Sequence, residues 1–290
     1  MKRARQRGPD RELMLKEWLD RNAVFISLGG AIFPLTGHKV TSPWYTPYKF
    51  SEIKRLLEQP FEPSQLPRPY GRWLDERIIE FPWLLSQLPE GPGALLDAGS
   101  ALNYDFILRH PKLRTKDLTI MTLAPEAECF WRRQISYVYG DLRQTAFRDN
   151  CFDYIASVST IEHIGLDNTR YYTADRVKAE NDPETYLAAI TELRRILKPG
   201  GSLFLTVPFG RHCVRDWLQV FDGDRIDRMV TTFRPSLHSE TYFRWSEPDG
   251  WGLSSRAECA DAPYFDHRSE PAWPGAPAAA GAVACLILTK

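Results

Sequence analysis

The chain has no net charge, no apolar run long enough to cross a bilayer and no paired cysteines, and each absence removes a class of function. With 37 basic and 37 acidic side chains in 290 residues, no overall field gathers polyanions, so nucleic-acid binding would need a local patch. The only basic cluster is Met1 to Arg11, with Lys2, Arg3, Arg5, Arg7 and Arg11, which reads as a solvated tail. No stretch reaches the roughly 18 apolar residues of a transmembrane helix. The longest candidate, Ala23 to Leu35, is interrupted by Gly29 and Gly30 and reads as a buried segment, with membrane contact as the lesser alternative. The five cysteines (Cys129, Cys151, Cys213, Cys259, Cys285) are far apart and never form Cys-x-x-Cys. That excludes a disulfide framework and a zinc cluster and fits a reducing, cytoplasmic setting. No His/Asp/Glu group has metal-ligand spacing, so no metal is expected.

What is present is the composition of a globular protein, 43% hydrophobic and 26% charged, patterned as strands alternating with helices. Apolar periodicity gives an amphipathic helix over 11–22, and Ser51 caps a helical stretch to Glu58 inside a Pro- and aromatic-rich segment, Phe33 to Pro69. A helix follows over Arg72 to Leu88. Strands are expected at Leu95–Leu96, Leu118–Leu123, Ile135–Tyr139, Phe152–Ser159 and Leu203–Val207. Between them lie a helix from Asn103 to His110, one begun by Pro125 and Glu126, and one capped by Asp182 with Pro183 at its first position. A helix over Asp224 to Val230, a strand over Thr241 to Trp245, an irregular polar region, a Pro/Ala-rich connector from Pro271 to Ala282 and a strand over Val283 to Thr289 complete the chain.

Leu95-Leu96-Asp97-Ala98-Gly99-Ser100-Ala101-Leu102-Asn103 reads as a buried strand entering a turn of small residues. In open α/β sheets ligands bind beyond such strand ends. Three further features follow in order: Gly140-Asp141-Leu142, then Cys151-Phe152-Asp153-Tyr154-Ile155 continuing to Ser159-Thr160-Ile161-Glu162-His163-Ile164, then Leu193 to Lys198 ending in Pro199-Gly200-Gly201. Their order resembles the class I S-adenosylmethionine-dependent methyltransferases, of the group described as methyltransferase type 11. The resemblance spans residues 72 to 210 by motif and reaches Lys290 by strand order.

It implies an α/β fold: a Rossmann-like seven-stranded methyltransferase sheet, mostly parallel with the last strand antiparallel, helices on both faces, and an amino-terminal helical, Pro-rich collar. The division is then 1–71 for tail, helix and collar and 72–290 for the methyltransferase domain. S-adenosylmethionine is the implied cofactor, held by Asp97, Gly99, Ser100 and Asn103 in the first turn, by Thr122 after strand two, by Asp141 and Leu142 at the adenine turn, and by Ser159 after strand four. Ala101 and Asn103 stand where the family usually has glycines, and Thr122 where it has an acid that grips the ribose. A neutral for a charged hydrogen-bond partner costs about 1 kcal/mol, or about fivefold in affinity. Glu126 is a second source of that acid.

Methyl transfer from a sulfonium needs an in-line nucleophile and, for a hydroxyl, a base within reach. His163 and Glu162 at the end of strand four are the candidates, with His212 and Asp216 next. The acceptor side is expected from Trp44 to Tyr48, Gly165 to Tyr172 and His238 to Trp251, aromatic and polar together as suits a sugar. The function implied is O-methylation of a saccharide or small hydroxylated metabolite. The competing reading is an inactive methyltransferase-fold partner or scaffold in a biosynthetic complex, supported by Ala101, Asn103 and Thr122. Methylation of nucleic acid has only the Arg-rich tail in its favour.

Overall fold

The computed structural model describes residues 23–169, 175–266 and 280–290. The expected helix over 11–22, the basic tail, Arg170, Tyr172 and most of the Pro271–Ala282 connector lie outside them.

Strands β1 (Gly93–Ala98), β2 (Lys116–Thr122), β3 (Ser136–Tyr139), β4 (Phe152–Val158) and β5 (Leu197–Pro208) pair in parallel in the order β3-β2-β1-β4-β5. The last strand, β10 (Ala282–Thr289), runs antiparallel between β5 and β8 (Leu237–Ser246). The expected sheet is thus present, with the order reversing between β1 and β4, and with eight strands rather than seven. The extra one, β9 (Gly250–Ser254), pairs antiparallel with β8. It falls in the region read as irregular because Gly250 and Gly252 dilute its strand pattern. A small hairpin, β6 (Cys213–Val214) with β7 (Gln219–Val220), stands apart from this sheet.

Alternation along the strands divides the core into two faces. Leu95, Ile120, Val158 and Phe204 point to one, where they join Ile26 of α1 (Ala23–Ile32), Ile53 of α2 (Tyr45–Leu56) and Ile78 of α3 (Arg77–Gln87). Leu96, Met121, Ile155 and Leu205 point to the other, against Ile190 and Leu193 of α6 (Tyr186–Ile196) and Ile226 and Met229 of α7 (Gly223–Phe233). The Pro- and aromatic-rich segment is therefore one wall of the first core, and helices cover both faces.

Several helix limits differ from the sequence expectation. Ser51 lies inside α2, which begins at Tyr45, and α3 begins at Arg77 rather than Arg72. The stretch after β1 makes two short turns, α4 (Asp105–Leu108) and α5 (Pro111–Arg114), the second opened by Pro111 with the His110 side chain as cap. Pro125 and Glu126 start no helix; a 3-10 turn at Trp131–Arg133 is what precedes β3. Helix α6 begins after Thr185 rather than Asp182, whose carboxylate instead accepts the Glu184 N–H at 3.1 Å while its own N–H bonds Gly165 at 2.7 Å. The polar region also holds α8 (Arg256–Cys259), opened by a capping box of Ser255 and Glu258.

Leu286, fully buried on β10, packs into the second core between the parallel and antiparallel parts of the sheet. Leu286→Ala should lower unfolding free energy in urea by about 2–5 kcal/mol. A loss below about 1 kcal/mol, the range of a volume-conserving swap, would contradict this placement of β10.

Candidate functional site

Beyond the carboxyl ends of β1 to β4 lies a cavity of about 350 Å³, within the size range of small-ligand sites. Its floor is the pair of turns that leave β1 and β4. Gly99 has φ +121°, and Ser100 and Ser159 are non-glycine residues at φ +64° and +39°, conformations that the surrounding structure must enforce. A Cβ on Gly99 would lie 2.0 Å from Thr160 Oγ1. The smallness of Gly99 therefore admits the Thr160 side chain, which packs across the crevice from β4 to β1.

Asp97 holds the first turn. Fully buried, its carboxylate accepts the Leu102 N–H at 2.8 Å and the Ala101 N–H at 3.2 Å. Burial pushes its carboxyl up to about 7, against the pull of those two donors. Asn103 is turned away from the cavity. Its amide nitrogen donates to Glu126 Oε2 and the Glu128 carbonyl, both at 3.0 Å, and its oxygen accepts the Tyr137 hydroxyl at 2.8 Å. Glu126 is thereby bonded to Asn103.

Thr122, Gly140, Asp141 and Leu142 form the end of the cavity at β2 and β3, where the Gly140 N–H bonds the Thr122 carbonyl at 2.9 Å. Asp141 is gripped by Arg143, whose Nε lies 3.0 and 2.9 Å from the two carboxylate oxygens. The same guanidinium bonds Glu180 at 2.8 and 2.7 Å. Burial would raise the Asp141 carboxyl, but the bonds and charge of Arg143 outweigh it and hold the group below the ordinary carboxylate range. Arg143 and Glu180 both line the cavity. Sequence reading missed them, though an Arg two residues after a loop Asp is a recognisable pairing.

His163 lines the opposite end. Its Nδ1 is 2.8 Å from the Trp217 carbonyl, and its ring stacks on Trp217 with centroids 5.2 Å apart. A carbonyl only accepts, so Nδ1 carries the hydrogen and the neutral ring keeps its lone pair on Nε2. Glu162 points elsewhere: it is buried, 3.8 Å from His163 Nε2 through Oε1, and its Oε2 has no hydrogen-bond partner. Burial, with Glu80 and Glu76 nearby, raises its carboxyl well above the usual range.

Glu80 is the residue that sequence reading most clearly missed. Fully buried on α3, it accepts the Ser159 hydroxyl at 2.5 Å and the Thr206 hydroxyl at 2.6 Å, and pairs with Arg77 at 2.8 Å. Its signal was a lone acid inside Ile78-Ile79-Glu80-Phe81-Pro82-Trp83.

The cavity thus brings together Gly99, Thr122, Asp141, Leu142, Ser159 and His163. Asp97, Ser100, Asn103, Glu162 and His212 are not among its lining residues; His212 Nδ1 sits 2.8 Å from the Val220 carbonyl beside the β6–β7 hairpin. Of the three segments expected on the acceptor side, the described part of Gly165 to Tyr172 contributes Gly165, Leu166 and Asn168. Tyr48 instead faces a separate cavity of about 300 Å³ with Tyr70 and Trp73. Trp251 is a core residue, donating its indole N–H to the Leu74 carbonyl at 2.8 Å.

The strand order β3-β2-β1-β4-β5 and the antiparallel last strand are those expected from the sequence. Residues 118–234 match a family model described as Caenorhabditis protein of unknown function, DUF268. No curated protein sequence matches the chain. Among solved structures it is similar to a methyltransferase of Thermotoga maritima described as a possible histamine N-methyltransferase, with 14% identity over 73% of this chain and 87% of that one and a TM-score of 0.45. The [4+2]-cyclase SpnF is 16% identical over 82% of this chain and 91% of its own, with a TM-score of 0.45. For phosphoethanolamine N-methyltransferase 2 of Haemonchus contortus the figures are 15% identity, 67% of this chain, 44% of that one and a TM-score of 0.43. Likenesses of this size leave the chemistry to be argued from the cavity.

The raised Asp97 carboxyl has a consequence for stability. Unfolded, the group ionises near its ordinary 3.8; folded, it keeps its proton to about 7. Folding therefore takes up a proton between those values, and raising the pH through this window removes stability, by roughly 4 kcal/mol in all, with no further change above it. Asp97→Asn should flatten that part of the pH profile of urea unfolding relative to the parent. Equal slopes in the two proteins would show that Asp97 is ionised throughout.

Proposed function

We propose that the chain is an S-adenosylmethionine-dependent methyltransferase that methylates a hydroxyl of a saccharide or small hydroxylated metabolite. One observation carries this reading: a cavity at the strand carboxyl ends has a carboxylate turn, Asp141-Leu142, at one end and the His163 ring at the other. The fit to the cofactor is supported by volume and by donor set. Asp141 can accept from an exocyclic amine while the Leu142 N–H meets a ring nitrogen. Thr122 is the hydroxyl available to the ribose, and Gly99 is the small-residue floor. Bound there, the cofactor supplies an electrophilic methyl group on a sulfonium.

The chain's own work is orientation and one proton. Trp217 fixes the His163 ring through its carbonyl and its stacked face, so that Nε2 can accept the hydroxyl proton as the acceptor oxygen attacks. Ser159, held by Glu80, fixes the β4 end on which His163 is carried. Leu142 and Leu166 are buried apolar cover over the same space.

A second reading, an inactive partner protein with this fold, is favoured by specific contacts: Asp141 is tied to Arg143, Asn103 is tied to Glu126, and Thr122 replaces an acid. Calorimetry with S-adenosylmethionine, followed by incubation with methyl-labelled cofactor and fractionated host extract, separates the two. The methyltransferase reading expects saturable binding and label in a glycan or small-molecule fraction; absence of binding at millimolar cofactor would remove it. His163→Ala should lower turnover about 10²- to 10⁴-fold, the span of general-base catalysis, with cofactor affinity unchanged. Equal losses of affinity and turnover would instead make His163 a wall of the cofactor site.

A further inference from the structure

The Pro- and aromatic-rich segment encloses a cavity of its own, about 300 Å³ in volume, at the lower end of the range of small-ligand sites. One wall is a face of α2 that carries Tyr48, Glu52 and Arg55, brought to the same side by helical spacing. The chain then doubles back through Pro60, Pro63, Pro67 and Pro69, whose fixed φ angles stiffen the opposite wall. Phe61, Gln65 and Leu66 line the cavity from that wall. Its floor is buried: Tyr70, Leu74 and Ile78, with the Tyr70 hydroxyl donating to the Ile78 carbonyl at 3.2 Å.

The lining charges balance, Glu52 and Glu62 against Arg55 and Arg72, so no net field selects an ion. Two of them are already paired to each other: Arg55 donates to Glu52 at 2.8 and 3.1 Å. Arg72 pairs with Glu247, outside the cavity. Yet its Nε is buried without a hydrogen-bond partner, a donor whose burial is costly until an acceptor meets it. The neutral polar side chains on the lining, Tyr48, Gln59 and Gln65, each both donate and accept.

The rings around them are held in advance. Tyr48 stacks on Phe33 with centroids 4.6 Å apart, Trp73 stacks on His38 at 3.7 Å, and Phe61 meets Tyr70 edge-on at 6.5 Å. A ligand therefore need not order them on binding. Fixed apolar rings, two-way hydrogen-bonding groups and one orphaned donor form the set that recognises a neutral polyhydroxyl ring, whose C–H faces lie on aromatics while its hydroxyls meet amides. A wholly apolar ligand would leave the Arg72 Nε unmet.

We propose that this cavity binds one ring of a neutral saccharide. None of its residues lines the cavity between Gly99 and His163, so the site stands whether or not methyl transfer is the activity of the chain.

The test is saturation-transfer NMR on the full chain, without cofactor, against methyl glucoside, methyl galactoside, methyl mannoside and N-acetylglucosamine at millimolar concentration, with glucuronate, glucosamine and indole as charged and apolar counterparts. The proposal expects transfer to the ring hydrogens of at least one neutral sugar, unchanged by salt, and weaker transfer to the counterparts. Gln59→Ala with Gln65→Ala, both at exposed positions, should weaken that binding about tenfold and leave the melting temperature unchanged. Leu66→Trp, which fills the cavity, should abolish it, and His163→Ala should leave it intact. No transfer to any of the neutral sugars overturns the proposal, as does stronger transfer to a charged sugar or to indole. Binding that Leu66→Trp and the double alanine variant both leave intact, or that His163→Ala removes, puts the sugar in another place and overturns it equally.

Discussion

The Asp97 carboxylate, buried at the end of β1, carries the geometry of the crevice. By accepting the N–H groups of Ala101 and Leu102 it folds the chain back over the strand end, where backbone donors would otherwise be buried without partners. The reversal keeps Gly99 and Ser100 in left-handed conformations and leaves the notch that Thr160 fills. With Asp97 in place, the ends of β1 and β4 are fixed relative to each other, and the cavity has a floor.

Glu80 makes the corresponding tie on the other side of β4. It reaches from α3 to hydroxyls on Ser159 and Thr206 and is balanced by Arg77. Around the site, environment divides the acids into two kinds. Asp141, bonded by Arg143, is held ionised below its ordinary range, whereas Glu162 is driven by burial toward its neutral form. Such a division is how one site keeps an acceptor carboxylate and a protonated acid at the same pH. His163, not Glu162, is the one of the two that lines the cavity.

The parallel strands were legible because each is a short apolar run bounded by turn residues, and their order followed from the spacing of helices between them. The cavity residues Gly99, Asp141 and His163 were legible because each lies in the turn that follows a strand. Asn103 was not, since its partners Glu126, Glu128 and Tyr137 converge on it from distant sequence. The same holds for Glu80, whose partners lie 79 and 126 residues away. Strand β9 escaped notice because two glycines dilute its pattern, of which Gly250 serves close packing: a Cβ there would stand 2.2 Å from the Tyr70 carbonyl oxygen. Helix limits were the weakest expectation, as at Asp182, where an Asp-Pro pair built a turn against Gly165 rather than a cap.

The central claim is that the space between Gly99, Asp141 and His163 is a nucleoside-cofactor site. A crystal structure of the full chain grown with S-adenosylhomocysteine tests it directly. The account predicts the adenine against Asp141 and Leu142 and the sulfur on the side of the cavity that His163 lines. A cavity left empty at saturating concentration, or the molecule bound outside it, would contradict the account.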